Sequence, residues 1–134
     1  MDIVFVVDDS GSIGATNFDL MKSFLSHLVG RLNISSGNTR VGLVTYSSGI
    51  GDGFNLSDYG TVASMQSAIS SLSYSLGGST NTDLALAYVR TTMLTSAAGD
   101  RGNVPNVVVV LTDGHSANVD HTLVCKVLCA LLVT

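Results

Sequence analysis

Two uninterrupted runs of apolar residues predict the centre of a β-sheet. The first covers Ile3–Val7 and the second covers Val107–Leu111. Continuous β-branched runs are typical of strands buried on both faces, as in a parallel sheet. A third segment, Arg40–Tyr46, predicts another strand. A glycine-rich turn then leads to a short segment, Phe54–Leu56, which predicts an antiparallel edge strand.

Between these strands, apolar residues recur at three- and four-residue steps, which predicts amphipathic helices. One helix is predicted over roughly 17–33, and another contains Val62–Leu72. A third begins near Asp83, with Thr82 as its N-cap. From Val119 onward the periodicity again predicts helix. This order predicts a doubly wound, Rossmann-like α/β domain spanning 1–134, mostly parallel with one antiparallel edge strand.

Small oxygen-bearing side chains follow the two most apolar strands. Asp8, Ser10 and Ser12 come directly after the first run, and Asp113 follows the second. Right-handed crossovers place these strand ends side by side at the switch point of the sheet. The loop 77–82 should arch over to meet them. Hard divalent cations prefer such oxygen ligands, so the pattern predicts a metal site.

Composition narrows the classes of function. The 134 residues include only 6 Lys and Arg, and the net charge is -4. Because the chain has no basic cluster, nucleic acid is not expected as a partner. No apolar stretch is long enough for membrane insertion, and no signal peptide precedes the first strand. Cys125 and Cys129 lack redox or zinc spacing and are interpreted as apolar positions on a helix.

Two tripeptides match the N-glycosylation pattern and leave the use of each asparagine open. They begin at Asn33 and Asn55, both in predicted loops or element ends. The glycines of loop 77–82 are not followed by the lysine of a phosphate-binding loop. Among the histidines, His115 alone lies near a candidate site residue, and a rim position is favoured for it over metal ligation. Asp9 is interpreted as a solvated neighbour of the ligands in the metal loop, as we call the predicted loop of residues 8–12.

The three site motifs resemble those of a von Willebrand factor type A domain with its metal-ion-dependent adhesion site. Asp8, Ser10 and Ser12 match the D-x-S-x-S element, Thr80 matches the threonine of the Gly-Gly-x-Thr-x-Thr loop, and Asp113 matches the Thr-Asp-Gly element. The likeness covers roughly residues 2–118. It is strongest to A domains of extracellular matrix proteins, such as the matrilins and collagen-associated A domains.

The resemblance implies a function in cation-dependent adhesion. It implies that Ser10, Ser12 and Thr80 hold Mg²⁺ (with Mn²⁺ or Ca²⁺ as alternatives) through their hydroxyls, while Asp8 and Asp113 act through water. An acidic residue of a protein ligand, such as collagen or another matrix protein, would complete the shell. The implied location is extracellular, as part of a larger, secreted glycoprotein.

Two other functions stay open at this stage. One is a structural role in matrix assembly that does not use the metal. The other is a Mg²⁺-dependent phosphatase or phosphotransferase with Asp8 as nucleophile. Such an enzyme needs a lysine near the phosphate, and Lys22 and Lys126 are both predicted on helices without a clear route to the site.

The chain departs from the family pattern after residue 118. Val119–Thr134 supplies about one helix where the family continues through two more strands, so the domain is expected to be incomplete at its C-terminus. The strand Val107–Leu111 would then have a bare, apolar outer edge. Such an edge predicts poor solubility or self-association.

Overall fold

A computed structural model describes residues 1–113 and the backbone of 130–133. Its strands and helices, in chain order, are β1 (Asp2–Asp8), α1 (Ala15–Val29), β2 (Arg40–Tyr46), β3 (Ile50–Phe54), α2 (Val62–Ser70), α3 (Thr82–Tyr88), β4 (Asn106–Leu111) and β5 (Ala130–Val133). α3 continues into a π-helical turn, Val89–Met93, and a short 3₁₀ turn, Ser96–Ala98, follows. No helix among these residues is long and apolar enough to cross a bilayer.

The strands form one sheet in the order β3-β2-β1-β4-β5. β1 lies at its centre and pairs in parallel with β2 on one side and β4 on the other. Both outer pairs are antiparallel. The predicted doubly wound α/β fold with a mostly parallel centre is therefore confirmed, with an antiparallel strand at each edge.

Alternate residues of β1 enter two different apolar cores. Ile3, Phe5 and Val7 face a core that includes Phe18 and Leu25 of α1. Val4 and Val6 face the opposite core, which includes residues of α3 and its π-helical turn. Because both faces of β1 are covered, Asp8, its last residue, lies at the end of a fully buried strand.

The predictions for the last part of the chain need correction. Ala130–Val133 is a strand, not a helix, and it pairs with β4 from Val107 to Val110. A short apolar run carries no period that separates strand from helix, and here the edge of β4 is available for pairing. β4 is therefore not a bare edge. The prediction that the domain is incomplete stays a prediction, and Lys126, Cys125 and Cys129 lie outside the described residues.

Two further strand predictions were wrong in detail. β3 begins at Ile50, so Gly51 and Gly53 belong to a strand rather than to a turn. A Cβ on Gly53 would overlap the Leu43 carbonyl, so glycine is what allows β3 to approach β2 here. β4 is not fully buried, since Val108 and Val110 are buried while its other residues are partly exposed.

Candidate metal-binding site

The loop after β1 brings a buried carboxylate and two hydroxyls together. Asp8 is fully buried, and its Oδ1 accepts a 2.9 Å hydrogen bond from the Ser10 backbone N–H. The hydroxyls of Ser10 and Ser12 lie 3.0 Å apart. Ser10 is buried and Ser12 is exposed, so this loop leads from the interior to the surface. The first predicted motif therefore forms one continuous polar group.

The end of β4 lies beside this loop. Val7 pairs with Leu111, which brings the next residue, Thr112, alongside Asp8. The Thr112 hydroxyl donates a 2.8 Å hydrogen bond to Asp8 Oδ2. Asp113 follows at the surface, and its charge acts on Asp8. The predicted meeting of the two strand ends is confirmed, with Thr112 as the contact that the sequence reasoning did not include.

The third predicted loop is held against the first by its backbone. Ser10 and Gly77 form an isolated parallel bridge, and the Gly11 N–H donates to the Gly77 carbonyl at 2.5 Å. A Cβ on Gly77 would overlap the Ser47 side chain, so glycine lets this loop pass close to the segment that follows β2. Thr80, farther along the loop, is 6% exposed. The structure thus places the loops of all five predicted ligands at one end of the sheet, and ligation itself stays a prediction.

Thr82 has a different role from the predicted one. The N-cap of α3 is Asn81, and Thr82 is the first helical residue. Its hydroxyl lies 3.0 Å from the hydroxyl of Tyr46, at the end of β2, and both residues are buried. A hydroxyl engaged with Tyr46 anchors the start of α3 to the sheet instead of capping the helix.

Burial dominates the electrostatics of the site. Burial raises the pKa of Asp8, and the charge of Asp113 adds to this, while hydrogen bonds from Ser10 and Thr112 oppose it. Burial, together with the charges of Asp8 and Asp113, also raises the pKa of Tyr46 to about 12. Within residues 1–113 no cationic side chain forms an ion pair with Asp8. A bound cation would offset both the cost of burying the Asp8 charge and its repulsion with Asp113.

Asp9 is not the solvated neighbour that the sequence predicted. It is 1% exposed, and its Oδ1 has no hydrogen-bond partner among the described residues. The Asp9 N–H donates to the Tyr46 carbonyl at 2.9 Å and so extends the pairing of β1 with β2. Continued strand pairing turns this side chain into the protein, which the sequence alone did not indicate.

Tyr74 braces the metal loop from the other side. Its hydroxyl donates to the Ser10 carbonyl at 3.0 Å and accepts from the Gly14 N–H at 3.2 Å. Its ring packs on Phe18 of α1, with 5.4 Å between the centroids. These bonds hold both ends of the segment that carries Ser12. Sequence reasoning missed Tyr74 because its hydrogen-bond partners lie 60 or more residues away.

The donor set suits a hard cation held mainly by hydroxyls. Within the described residues no group of three or more His, Cys, Asp or Glu side chains could hold a metal ion by itself, whereas hard cations also accept hydroxyl oxygens as ligands. Lys22, the described lysine considered for phosphate chemistry, pairs with Asp19 at 3.2 Å and donates to the Leu72 carbonyl at 3.3 Å. Those contacts keep it on α1, and His115 lies outside the described residues.

Comparison with known proteins decides the family. The model of the von Willebrand factor type A domain matches residues 2–130. The chain belongs to this family. The match confirms the resemblance that the three sequence motifs had indicated.

Several relatives have known names or structures. The A domain is 42% identical over 119 residues to the mouse collagen alpha-4(VI) chain and 40% identical to human matrilin-4, each match covering 87% of this chain. It spans only 5% and 19% of those two proteins. Proximal thread matrix protein 1 from the mussel byssus is similar in structure, with TM-score 0.81, 28% identity and coverage of 87% of this chain and 31% of that one. A form with a zinc-occupied MIDAS motif gives TM-score 0.80, the same identity, and coverage of 87% and 32%.

Proposed function

We propose that this A domain is a divalent-cation-dependent protein-binding module. The observation that carries the proposal is Asp8, a carboxylate at the end of a buried strand, contacted by neutral donors and with no cationic partner in residues 1–113. A buried carboxylate without a counter-ion is costly unless a cation or a proton joins it. The exposed Ser12 and Asp113 beside it give such a cation access to solvent.

The five proposed site residues would fall into two chemical groups. Ser10, Ser12 and Thr80 would supply neutral hydroxyl ligands, and Asp8 and Asp113 would supply charge through intervening water. When bound, the cation supplies a Lewis-acidic position that an acidic side chain of a partner can occupy. Few direct carboxylate ligands and retained water suit Mg²⁺, with Mn²⁺ and Ca²⁺ as alternatives.

The proposed partner is an extracellular matrix protein such as a collagen. The collagen VI and matrilin relatives support this choice, as does the byssal matrix protein with its zinc-occupied site. The proposed location is therefore extracellular, within a longer protein. Adhesion rather than catalysis is proposed because Lys22 is held at Asp19 and Leu72, away from any role as a phosphate ligand.

Isothermal titration with Mg²⁺ alone tests the site. Wild type should bind, and Ser12→Ala and Asp113→Ala should bind at least tenfold more weakly, because the first removes a proposed hydroxyl ligand and the second a carboxylate proposed to act through water. Asp19→Ala is the matched control, since it also removes one exposed acidic charge but leaves the site intact. Absence of binding by wild type, or equal weakening in the control, would refute the metal site.

Binding to an immobilised collagen then tests the partner. Wild type should bind in Mg²⁺ and be released by chelation, and Ser12→Ala should not bind in either condition. Binding that survives both chelation and Ser12→Ala would instead support structural assembly without the metal. Hydrolysis of a phosphate ester, lost in Asp8→Asn, would support the enzymatic alternative.

A further inference from the structure

The two N-glycosylation tripeptides differ in their structural setting. Asn33 is exposed, and its side chain makes no hydrogen bond within the described residues. Its backbone is nevertheless fixed, because its carbonyl accepts from the Thr39 N–H at 3.2 Å and from the Ser36 hydroxyl at 3.1 Å. Ile34, in the middle of the tripeptide, is 3% exposed and anchors the loop in the core. Asn33 is therefore held outward on a well-anchored loop.

Asn55 lies in a more closed environment. It is half-buried and lines a cavity of about 180 Å³ together with Leu43 and Met93. Its N–H donates to Asp58 Oδ2 at 2.7 Å, which closes a tight turn. Ser57, the hydroxyl residue of this tripeptide, is exposed on one side, but it lies so close to Gly99 that a Cβ on Gly99 would come within 2.7 Å of the Ser57 Cβ. A bulky sugar at Asn55 would have to leave this packed region.

We propose that Asn33 is an N-glycosylation site of this domain and that Asn55 is not. The proposal rests on the extracellular location proposed above. In the reaction, Asn33 Nδ2 forms a bond to C1 of an oligosaccharide carried on a polyisoprenyl pyrophosphate. The C1–O bond to the pyrophosphate breaks, the amide loses one proton, and the lipid pyrophosphate leaves.

The position of Asn33 makes a sugar compatible with adhesion. The loop that begins at Asn33 packs against the start of β1, since the amino terminus of Met1 donates to the Asn38 carbonyl at 2.7 Å and Arg40 N–H donates to the Met1 carbonyl at 3.1 Å. The metal loop follows the other end of the same strand. Seven residues of strand span about 20 Å, so the glycan and the site lie at opposite ends of the sheet.

Secretion of the full chain from an animal cell line, behind a cleavable signal peptide, tests this proposal. Mass spectrometry of the secreted wild type should show one glycan, removed by peptide N-glycosidase. Asn33→Gln and Ser35→Ala should each abolish it, while Asn55→Gln should retain it. Ser36→Ala is the matched control, because it alters the same loop but leaves the tripeptide intact.

The outcomes separate the proposals. A secreted chain without sugar, or one whose sugar survives Asn33→Gln, overturns the assignment of Asn33. Two glycans, or loss of sugar in Asn55→Gln, overturns the exclusion of Asn55. Mg²⁺ affinity is measured on the same samples and should be equal with and without the glycan, so failure of the metal site is read independently of failure at Asn33.

Discussion

The two ends of β1 carry buried carboxylates that are handled in opposite ways. Asp2 and Asp8 are both fully buried. Asp2 is neutralised by Arg101, whose Nε donates to Oδ1 at 2.9 Å and whose backbone N–H donates to Oδ2 at 2.8 Å. Asp8 has only neutral donors within residues 1–113. One end of the strand is thus electrostatically complete within the chain, and the other has no cationic partner among the described residues.

The difference teaches how to separate structural from binding acids in this domain. Arg101 also donates to the carbonyls of Gly37 and Met1, so it ties the chain together around Asp2. No comparable cationic clamp exists around Asp8 in the described part of the chain. A structural acid is completed by the fold itself, whereas a binding acid is left incomplete at some cost to stability.

The largest expected effect is a loss of stability when the ion pair between Asp2 and Arg101 is broken. Asp2→Asn leaves the Arg101 guanidinium without its carboxylate and should lower the free energy of unfolding by about 3 kcal/mol. Urea denaturation followed by circular dichroism measures this. The Mg²⁺ affinity of the folded variant should not change. A stability equal to wild type would mean that the ion pair contributes nothing and that the two ends do not differ as described.

Asp8→Asn should have the opposite effects, namely weaker Mg²⁺ binding without a loss of stability. The amide keeps an acceptor for the Ser10 N–H but carries no charge, so Mg²⁺ affinity should fall by about 10- to 100-fold. The metal-free variant should melt at a temperature equal to or above that of wild type, because burial of the carboxylate charge is removed. Differential scanning calorimetry without and with Mg²⁺ tests both effects. Marked destabilisation of the metal-free variant would place Asp8 with Asp2 as a structural acid.

Tyr74→Phe sharpens the comparison at the metal loop. It removes hydrogen bonds to Ser10 and Gly14 that are worth about 1 kcal/mol each. If one of these hydrogen bonds stabilises the loop only in the Mg²⁺-bound state, its loss lowers Mg²⁺ affinity about fivefold. Tyr59→Phe is the control, since the Tyr59 ring packs on Phe54, away from the loop. Equal affinities for both variants would show that the loop does not depend on Tyr74.

The smallest expected effect is the pH dependence of the metal-free chain. Because the folded pKa of Asp8 lies above 3.8, the native state holds a proton that the unfolded state releases. Stability contributed by this proton is present below that value and is lost as pH rises through the folded pKa. The melting temperature of wild type minus that of Asp8→Asn should therefore decrease from about pH 4 upward. A difference that rises with pH would contradict the raised pKa.

Sequence reasoning reached the site because its residues follow strands that the pattern marks clearly. Asp8 directly follows one continuous apolar run and Asp113 lies one residue beyond the other, so their meeting follows from parallel topology. Asp9 and Tyr74 could not be predicted in the same way. The burial of Asp9 depends on one extra hydrogen bond to Tyr46, and the role of Tyr74 depends on contacts between residues far apart in the chain.

The same limit explains the errors at the edges of the sheet. Gly51 and Gly53 favour a turn locally, yet the approach of β3 to β2 selects them for a strand. Ala130–Val133 is too short for a period, and its pairing with β4 decides its conformation. Edge strands are defined by their neighbours more than by their own residues.

The central position of β1 has a mechanical consequence for the proposed adhesion function. Ser12 is joined to β1 through the three residues that follow Asp8, so tension from the proposed ligand at this loop would be transmitted to the end of the strand. β1 is hydrogen-bonded to β2 over Asp2–Asp8 and to β4 over Asp2–Val7. A pull along the strand loads both ladders in shear, and their bonds must break together rather than one by one. The Arg101 clamp at the far end of β1 adds bonds that oppose its extraction, so the loop follows a strand that is paired on both sides and anchored at its far end.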